Sequence, residues 1–274
     1  MPKEKPELSD AMRKKLSGSS REKKPINGTK FTIAISSAKG GVGKSTFATN
    51  LALALKQNGC KVGLLDADIY GPSIPKMFGI NEKPKSDGQK LEPVIKYDIQ
   101  CMSIGFLTDE KTPMIWRGPM VTSAIKTFTQ QVNWKDLDFI IVDMPPGTGD
   151  TQLTFSQGIE MNGAIIVSTP QEVALLDVKR GIKMFDKLNV KVLGLIDNMS
   201  FFVGDDGKKY NIFGEGGVKK TAEEFNKNFL GEIPINPDVG KQGDLGLPIV
   251  EKDPQNEISK IYLDLAKKLK SIFF

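Results

Sequence analysis

The chain has 274 residues, of which 39% are hydrophobic, and it contains two cysteines and no histidine. The lack of histidine excludes Ser-His and Cys-His catalysis and imidazole metal ligands, and two cysteines cannot build a disulfide framework. No apolar run is as long as a membrane span, and the N-terminus lacks the apolar stretch of a secretory signal. The composition therefore predicts a cytoplasmic protein.

The net charge of +5 is concentrated near the N-terminus. Residues 1–30 hold nine Lys or Arg against four Asp or Glu, so residues 31–274 are close to neutral. We predict a flexible, basic tail over 1–30, followed by one folded domain over 31–274. A neutral body does not favour nucleic-acid binding.

The first predicted unit of the domain is a strand, a loop and a helix. Residues 31–36 are a short β-prone run, and residues 45–56 place apolar and alanine positions at helical spacing. Four further apolar runs alternate with helix-compatible stretches, at 62–65, 139–142, 164–167 and 192–196. Runs that are apolar throughout are typical of parallel strands buried on both faces. The sequence therefore predicts an α/β fold with a doubly wound, mostly parallel sheet.

Two segments lie outside this alternation. Residues 80–120 carry four prolines among short β-prone pieces, which indicates an insert at the edge of the sheet. The last segment has apolar residues three or four positions apart, which predicts an amphipathic helix. It is rich in lysine and ends in IFF, so a membrane-surface anchor is one interpretation. Packing against the sheet is the favoured one, and we do not expect contact with a membrane.

The loop between the first strand and helix reads SSAKGGVGKST over residues 36–46. Glycines let backbone N–H groups point at a phosphate, and the following helix adds the positive end of its dipole. In such a P-loop Lys44 reaches the β and γ phosphates and the Ser45 hydroxyl binds Mg²⁺. We predict that the phosphates are held by Ala38, Lys39, Gly40, Gly41, Val42, Gly43, Lys44, Ser45 and Thr46. Ala38 replaces the usual first glycine, which leaves the backbone amides available.

Aspartates follow two further predicted strands. Asp66 and Asp68 come after the second strand, and Asp143 ends the third. Carboxyl ends of parallel strands meet at the ligand-binding edge of such a sheet. We predict that Asp143 holds the water shell of Mg²⁺, that Gly147 presents its N–H to the γ-phosphate and that Asp68 orients the attacking water. Loop caps and turns are the alternative role for single aspartates.

The pattern K-G-G-x-G-K-[ST] resembles the deviant Walker A loop of the family that includes nitrogenase iron protein and the MinD and ParA ATPases. The resemblance implies a nucleotide-sandwich homodimer in which Lys39 reaches phosphates bound by the partner subunit. A cation supplied by a partner stabilises charge on the transferring phosphoryl group. The catalytic residues expected from this pattern are Lys39, Lys44 and Asp68.

The stretch 197–200, which reads DNMS, bears on whether the nucleotide is ATP or GTP. GTP-specific proteins of related fold usually carry N-K-x-D, and no such tetrapeptide occurs in this chain. In the deviant Walker A family the counterpart of Asn198 bonds an adenine edge. ATP is therefore favoured over GTP.

Further motifs resemble one branch of that family, the Mrp/ApbC iron-sulfur cluster carrier ATPases. They cover roughly residues 31–255 and include LLDADIYGPSIPKMFG, WRGPM, DFIIVDMPPGTGDTQLT, VSTPQEVALLDVKRGI and GDLGLPIV. The resemblance implies an ATP-hydrolysing homodimer that carries or inserts [4Fe-4S] clusters. Its expected partners are iron-sulfur apo-proteins or cluster donors.

One segment departs from that branch. Many relatives place a C-x-x-C pair shortly after N-M-S, so that two subunits share a [4Fe-4S] cluster through four thiolates. This chain has Gly204 and Gly207 where those cysteines would fall, and the D-G between FFV and KKYNIF predicts a hairpin turn. Cys60 and Cys101 are expected to be small buried apolar residues. The ligands of any cluster therefore stay unknown.

Three functions remain open at this point. The first is an iron-sulfur carrier ATPase that holds its cluster weakly, through other ligands or with the help of a partner. The second is a positioning ATPase of the MinD or ParA type, and the third is a nucleotide-switched adaptor that binds no metal.

Overall fold

A computed structural model describes residues 23–107 and 118–274. The strands are β1 (Thr29–Ser36), β2 (Val62–Asp66), β3 (Lys85–Ser86), β4 (Leu91–Glu92), β5 (Val94–Lys96), β6 (Ile99–Ser103), β7 (Leu137–Asp143), β8 (Gly163–Ser168), β9 (Val192–Val203), β10 (Lys209–Tyr210) and β11 (Phe229–Ile235). The helices are α1 (Lys44–Gln57), α2 (Ile74–Met77), α3 (Gly118–Lys126), α4 (Asp150–Gly158), α5 (Glu172–Lys187), α6 (Gly217–Glu224), α7 (Pro237–Asp244), α8 (Ile249–Lys252) and α9 (Glu257–Phe273).

The central sheet runs in the order β10-β9-β8-β1-β7-β2-β6-β5, with β11 beside β9. The edge pairs β5–β6 and β9–β10 are antiparallel, and the other pairings in this sheet are parallel. β7 lies between β1 and β2, so the carboxyl ends of these three strands lie side by side. The predicted doubly wound, mostly parallel sheet is confirmed, and its topology brings three functional loops to one edge.

Both faces of the sheet are covered, as the continuous apolar runs predicted. Alternate residues of β1 belong to different cores, with Ile33 and Ile35 on one face and Ala34 on the other. The first core is covered by α1, α8 and α9, and the second by α3 to α6. Because the strands are buried on both sides, their positions are fixed by packing from two layers.

The predicted insert lies at the sheet edge. β5 and β6 form the last two strands of the sheet, and β3 pairs with β4 in a separate two-stranded sheet. The prolines interrupt the segment, yet β6 joins β2 as a parallel strand, because its apolar residues are buried in the core. Residues 108–117, which include the start of the WRGPM motif, lie outside the described residues.

The C-terminal helix packs on the body, as the favoured interpretation predicted. α9 contacts α1, and its residues Ile258, Leu265 and Leu269 are buried. The ring centroid of Phe273 lies 4.7 Å from that of Phe31 and 5.7 Å from that of Phe139. The final IFF thus contributes to an aromatic cluster at the amino ends of β1 and β7. Within 23–107 and 118–274, no helix combines the length and the apolar character needed to cross a membrane.

The structure describes only the last part of the predicted N-terminal tail, residues 23–30. Residues 1–22 of the predicted tail lie outside the described residues. Residues 23–30 pack against the body instead of extending from it: Ile26 is buried, Lys24 N donates to Gly158 O at 3.0 Å, and Glu160 N donates to Lys24 O at 2.9 Å. The folded body therefore begins several residues before position 31.

Candidate functional site

The glycine loop joins β1 to α1 at the carboxyl edge of the sheet, as predicted. Gly41 and Gly43 have φ angles of 79° and 83°, a left-handed conformation that residues with a Cβ rarely adopt. A Cβ on Gly43 would also collide with Asn198 Nδ2, whereas Gly40 and Gly41 face open space. The loop is therefore closed against β9 on one side and accessible to a ligand on the other.

Lys44 is the buried cation at the bottom of this loop, with 6% of its surface exposed. Its Nζ lies 2.7 Å from Asp143 Oδ1 and 3.4 Å from Asp68 Oδ2. Burial lowers the pKa of Lys44, but the two carboxylates outweigh burial and the net shift is upward. Lys44 is therefore charged at neutral pH and is held against the two carboxylates at the strand ends.

The oxygens beside Lys44 suit a hard divalent cation. Asp143 is fully buried, and its Oδ2 has no hydrogen-bond partner among the described residues. Burial raises the pKa of Asp143, while the charge of Lys44 lowers it. Ser45 Oγ lies 3.3 Å from Lys44 Nζ. A hydroxyl and an unpaired carboxylate oxygen are the donors that Mg²⁺ takes in phosphate sites, so these residues fit the predicted metal.

Asp66 organises the loop that carries Asp68. Its carboxylate accepts bonds from Asp68 N at 3.2 Å, from Ile74 N at 3.1 Å and from Ser103 Oγ at 3.0 Å. Burial and the nearby Asp143 raise the pKa of Asp66 to about 7, while Lys44 lowers it. Sequence reasoning named Asp66 without a specific role. The D-x-D spacing was the signal, because both aspartates leave the same strand end.

The two lysines of the loop differ in environment. Lys44 is buried between carboxylates, whereas Lys39 is exposed and forms no ion pair with any residue in 23–107 or 118–274. Lys44 is therefore held by the carboxylates at the strand ends, and Lys39 is open to solvent.

Two predicted ligand contacts are occupied within the protein. Gly147 has a φ of 91°, and its N–H donates to Ser37 O at 2.8 Å, so it is not free for a phosphate in this conformation. Asn198 Nδ2 donates to Val42 O at 2.8 Å and holds the glycine loop. The phosphate contact of Gly147 requires the Ser37 bond to open, and the adenine contact of Asn198 stays a prediction.

The predicted hairpin is confirmed at residues 202–210. β9 and β10 pair antiparallel, and Gly204 N donates to Lys208 O at 2.9 Å. Asp206 closes the turn, because its carboxylate accepts bonds from Lys208 N at 3.0 Å and from Tyr210 Oη at 2.9 Å. Gly204 and Gly207 occupy this turn, so the fold of the segment persists without thiolates.

Cys60 and Cys101 are both buried and free, as predicted. Cys101 lies on β6 opposite Leu64 of β2, and burial raises its pKa. Cys60 precedes β2 at its amino end, and burial likewise raises its pKa. Across the described ranges no three His, Cys, Asp or Glu side chains are grouped so that they could hold a metal ion.

The site has the features of the P-loop NTPases: a glycine loop after the first strand, a buried lysine, and aspartates at two neighbouring strand ends. A second lysine stands at the start of the loop. The sequence profile described as "ParA: NUBPL iron-transfer P-loop NTPase" matches residues 28–270. The chain belongs to this family. An iron-sulfur cluster carrier protein of Aquifex aeolicus is 49% identical over 254 residues, which cover 91% of this chain and 70% of that protein.

Solved structures agree with this assignment. A nucleotide-binding protein of Archaeoglobus fulgidus, in complex with ADP, has a TM-score of 0.71 and 41% identity, covering 80% of this chain and 87% of that one. The cell-division ATPase MinD of Pyrococcus furiosus has a TM-score of 0.66 at 19% identity, covering 88% of this chain and 99% of that one. The second likeness supports the fold alone.

Proposed function

We propose that this chain binds and hydrolyses ATP as a nucleotide-sandwich homodimer and acts as a carrier of iron-sulfur clusters. The observation that carries the nucleotide part is the buried Lys44, held between Asp143 and Asp68 beneath an open glycine loop. Membership of the iron-transfer family and about 49% identity to a cluster carrier support the second part.

In the proposed reaction the residues of the loop bind and Asp68 prepares the nucleophile. Lys44 exchanges part of its carboxylate contact for the β and γ phosphates, with backbone amides of residues 38–46 around them. Asp68 is tethered close to Lys44, and its carboxylate orients the attacking water. Gly147 donates its N–H to the γ-phosphate after its bond to Ser37 has opened.

The Ser45 hydroxyl and Asp143 would hold a Mg²⁺ ion, Asp143 partly through water. When bound, such an ion neutralises charge on the phosphate oxygens. The orphaned Oδ2 of Asp143 supports this role, because a buried carboxylate oxygen without a partner is costly.

Lys39 is proposed to act on the partner's nucleotide. It is exposed and unpaired in the described part of its own subunit, and it lies at the open side of the loop. A cation that arrives from a second subunit stabilises charge that develops during phosphoryl transfer. Hydrolysis would then depend on dimerisation.

The cluster is cargo in this proposal, and its ligands are incomplete in one subunit. The hairpin has no thiolate, and the two cysteines are buried in the core. We infer that a cluster is held labilely or with ligands from a donor or an apo-protein acceptor. Function in the cytoplasm agrees with the low cysteine content.

The observations favour this function over a positioning ATPase. Most of the apolar face of α9 is buried against the body, including Ile258, Leu265 and Leu269, which does not favour a membrane anchor. The net charge of residues 31–274 is close to neutral, which does not favour DNA binding by this part of the chain.

The experiment is an anaerobic transfer assay with purified full-length protein. The protein is loaded with iron and sulfide, and activation of an apo-acceptor that requires a [4Fe-4S] cluster is followed with and without ATP, alongside phosphate release. We expect ATP turnover, and acceptor activation faster than from free iron and sulfide. The control is Lys44→Ala, which should lose turnover. Turnover without any transfer would support the adaptor function instead, and absence of turnover would reject the ATPase assignment.

A further inference from the structure

Two separate loops carry the groups that are proposed to act on the γ-phosphate. Residues 67–73 follow β2 and contain Asp68, while residues 144–149 follow β7 and contain Gly147. The bases of the two loops are joined where Ala67 N donates to Asp143 O at 2.9 Å. Asp68 and Gly147 lie beyond this point. Asp66 and Lys44 hold Asp68 from within, and a contact between the outer parts of the two loops would further restrict its distance from Gly147.

Tyr70 bridges the outer parts of these two loops. Its hydroxyl lies 2.9 Å from Thr151 Oγ1, in the first turn of α4. Its backbone N–H donates to Asp68 Oδ1 at 3.1 Å. The same residue is therefore bonded to the carboxylate of one loop and to the helix that directly follows the other.

The start of α4 is itself anchored to the base of the glycine loop. Gln152 Nε2 donates to Ser36 Oγ at the end of β1. The Tyr70–Thr151 bond therefore links the Asp68 loop to a helix that is itself bonded to the base of the glycine loop.

The side chain of Tyr70 has no packing role that would explain it. It is 70% exposed, so its ring gains little from burial. The contact that distinguishes tyrosine from phenylalanine here is the hydroxyl bond to Thr151. Replacement by phenylalanine removes this bond without opening a cavity, which makes the contact testable in isolation.

We propose that the Tyr70–Thr151 bond is a positioning contact that sets the distance between Asp68 and the γ-phosphate loop. This inference rests on the proposed ATPase function. Tyr70 acts through Asp68, whose carboxylate it holds by its backbone N–H. Neither Tyr70 nor Thr151 belongs to the glycine loop at 38–46, so loss of their bond should slow hydrolysis and leave ATP binding intact.

The test is a double-mutant cycle of ATP turnover with Tyr70→Phe, Thr151→Val and the double variant. Each single change should lower kcat by about two- to tenfold, the range of one hydrogen bond, with KM changed by less than about twofold. The double variant should be no slower than the slower single variant. Thr151→Ser keeps the hydroxyl and should retain the wild-type rate.

Tyr97→Phe is the matched control. It also removes a bonded tyrosine hydroxyl, 2.7 Å from Gly246 O, but it lies outside both loops and should leave kcat unchanged. An unchanged kcat in Tyr70→Phe, multiplicative losses in the double variant, or a rise in KM that accounts for the loss would each overturn the proposal.

Amide hydrogen exchange without ATP separates this inference from the proposed function. Peptides covering residues 145–152 should exchange faster in Tyr70→Phe than in the wild type or in Tyr97→Phe. Equal exchange would show that the bond does not couple the loops. If the wild type failed to hydrolyse ATP, the ATPase function would fall, and the exchange rates would still decide whether the coupling exists.

Discussion

The glycine loop and the β9–β10 hairpin carry the two halves of the proposed function, and they differ in completeness. At the loop the sequence pattern and the structure agree, because Lys44 Nζ lies 2.7 Å from Asp143 Oδ1 and 3.4 Å from Asp68 Oδ2. At the hairpin the predicted turn is present, and Gly204 and Gly207 offer no side chain that could bind a metal.

The difference shows that the hairpin can keep its fold without side chains that bind a metal. The hairpin is held by its own turn, with Asp206 bonded to Lys208 and Tyr210, so it does not need a cluster to fold. The nucleotide site, in contrast, depends on its charged side chains, because the buried Lys44 and Asp143 compensate each other and removal of either would leave a buried charge with fewer partners. One chain therefore provides the side chains proposed for the nucleotide reaction, whereas its hairpin provides no thiolates for a cluster.

Removal of Lys44 should have the largest effect, because it should abolish ATP binding at the glycine loop. We expect Lys44→Ala to weaken ATP binding by about 100-fold or more, because the buried cation that meets the phosphates is lost. Isothermal titration with ATP and Mg²⁺ measures this effect. Lys76→Ala, which removes an exposed lysine paired with Asp244, is the control and should bind normally. Retained micromolar affinity in Lys44→Ala would count against the loop assignment.

Removal of Lys39 should separate binding from hydrolysis. Lys39→Ala should bind ATP within about twofold of the wild type and lose about 100-fold or more in turnover, together with nucleotide-dependent dimerisation, as expected for a cation supplied in trans. Phosphate release and sedimentation with ATP report the two effects. An unchanged turnover number would refute the trans role of Lys39.

A smaller effect is expected at Asp68. Asp68→Asn keeps the shape of the side chain and removes the charge that orients water, so turnover should fall by about 10- to 100-fold while ATP affinity is preserved. Parallel measurements of kcat and Kd test this split. Equal losses in both would make Asp68 a binding residue.

The smallest effect concerns the buried Asp197 in β9, which lies outside the glycine loop at 38–46 and the turn at 202–210. Burial and Glu232 raise its pKa to about 7, and its Oδ1 has no partner among the described residues. A carboxyl whose pKa is raised on folding costs stability as the pH rises from the unfolded value through 7. Asp197→Asn should therefore stabilise the nucleotide-free protein by about 1 to 2 kcal/mol at pH 8, and hardly at all at pH 4. Urea unfolding at both pH values tests this, and a gain independent of pH would contradict it.

Sequence patterns predicted the features that depend on local residues. The apolar runs located β1, β2, β7, β8 and β9, and the glycine loop located Lys44. Long-range contacts were not predictable in the same way. The bond from Asn198 to Val42 joins residues 156 positions apart, and that from Tyr70 to Thr151 joins residues 81 apart. Neither leaves a periodic signal, because each depends on how the strand ends meet.

Iron content after anaerobic reconstitution tests the central proposal, that this chain hydrolyses ATP and provides no thiolate site of its own for a cluster. The measurement counts iron per dimer before and after a chelator, in the wild type and in Cys60→Ser with Cys101→Ser. We predict iron that the chelator removes equally from both proteins, with unchanged ATP turnover. About four irons per wild-type dimer that resist the chelator and vanish in the double serine variant would contradict the account.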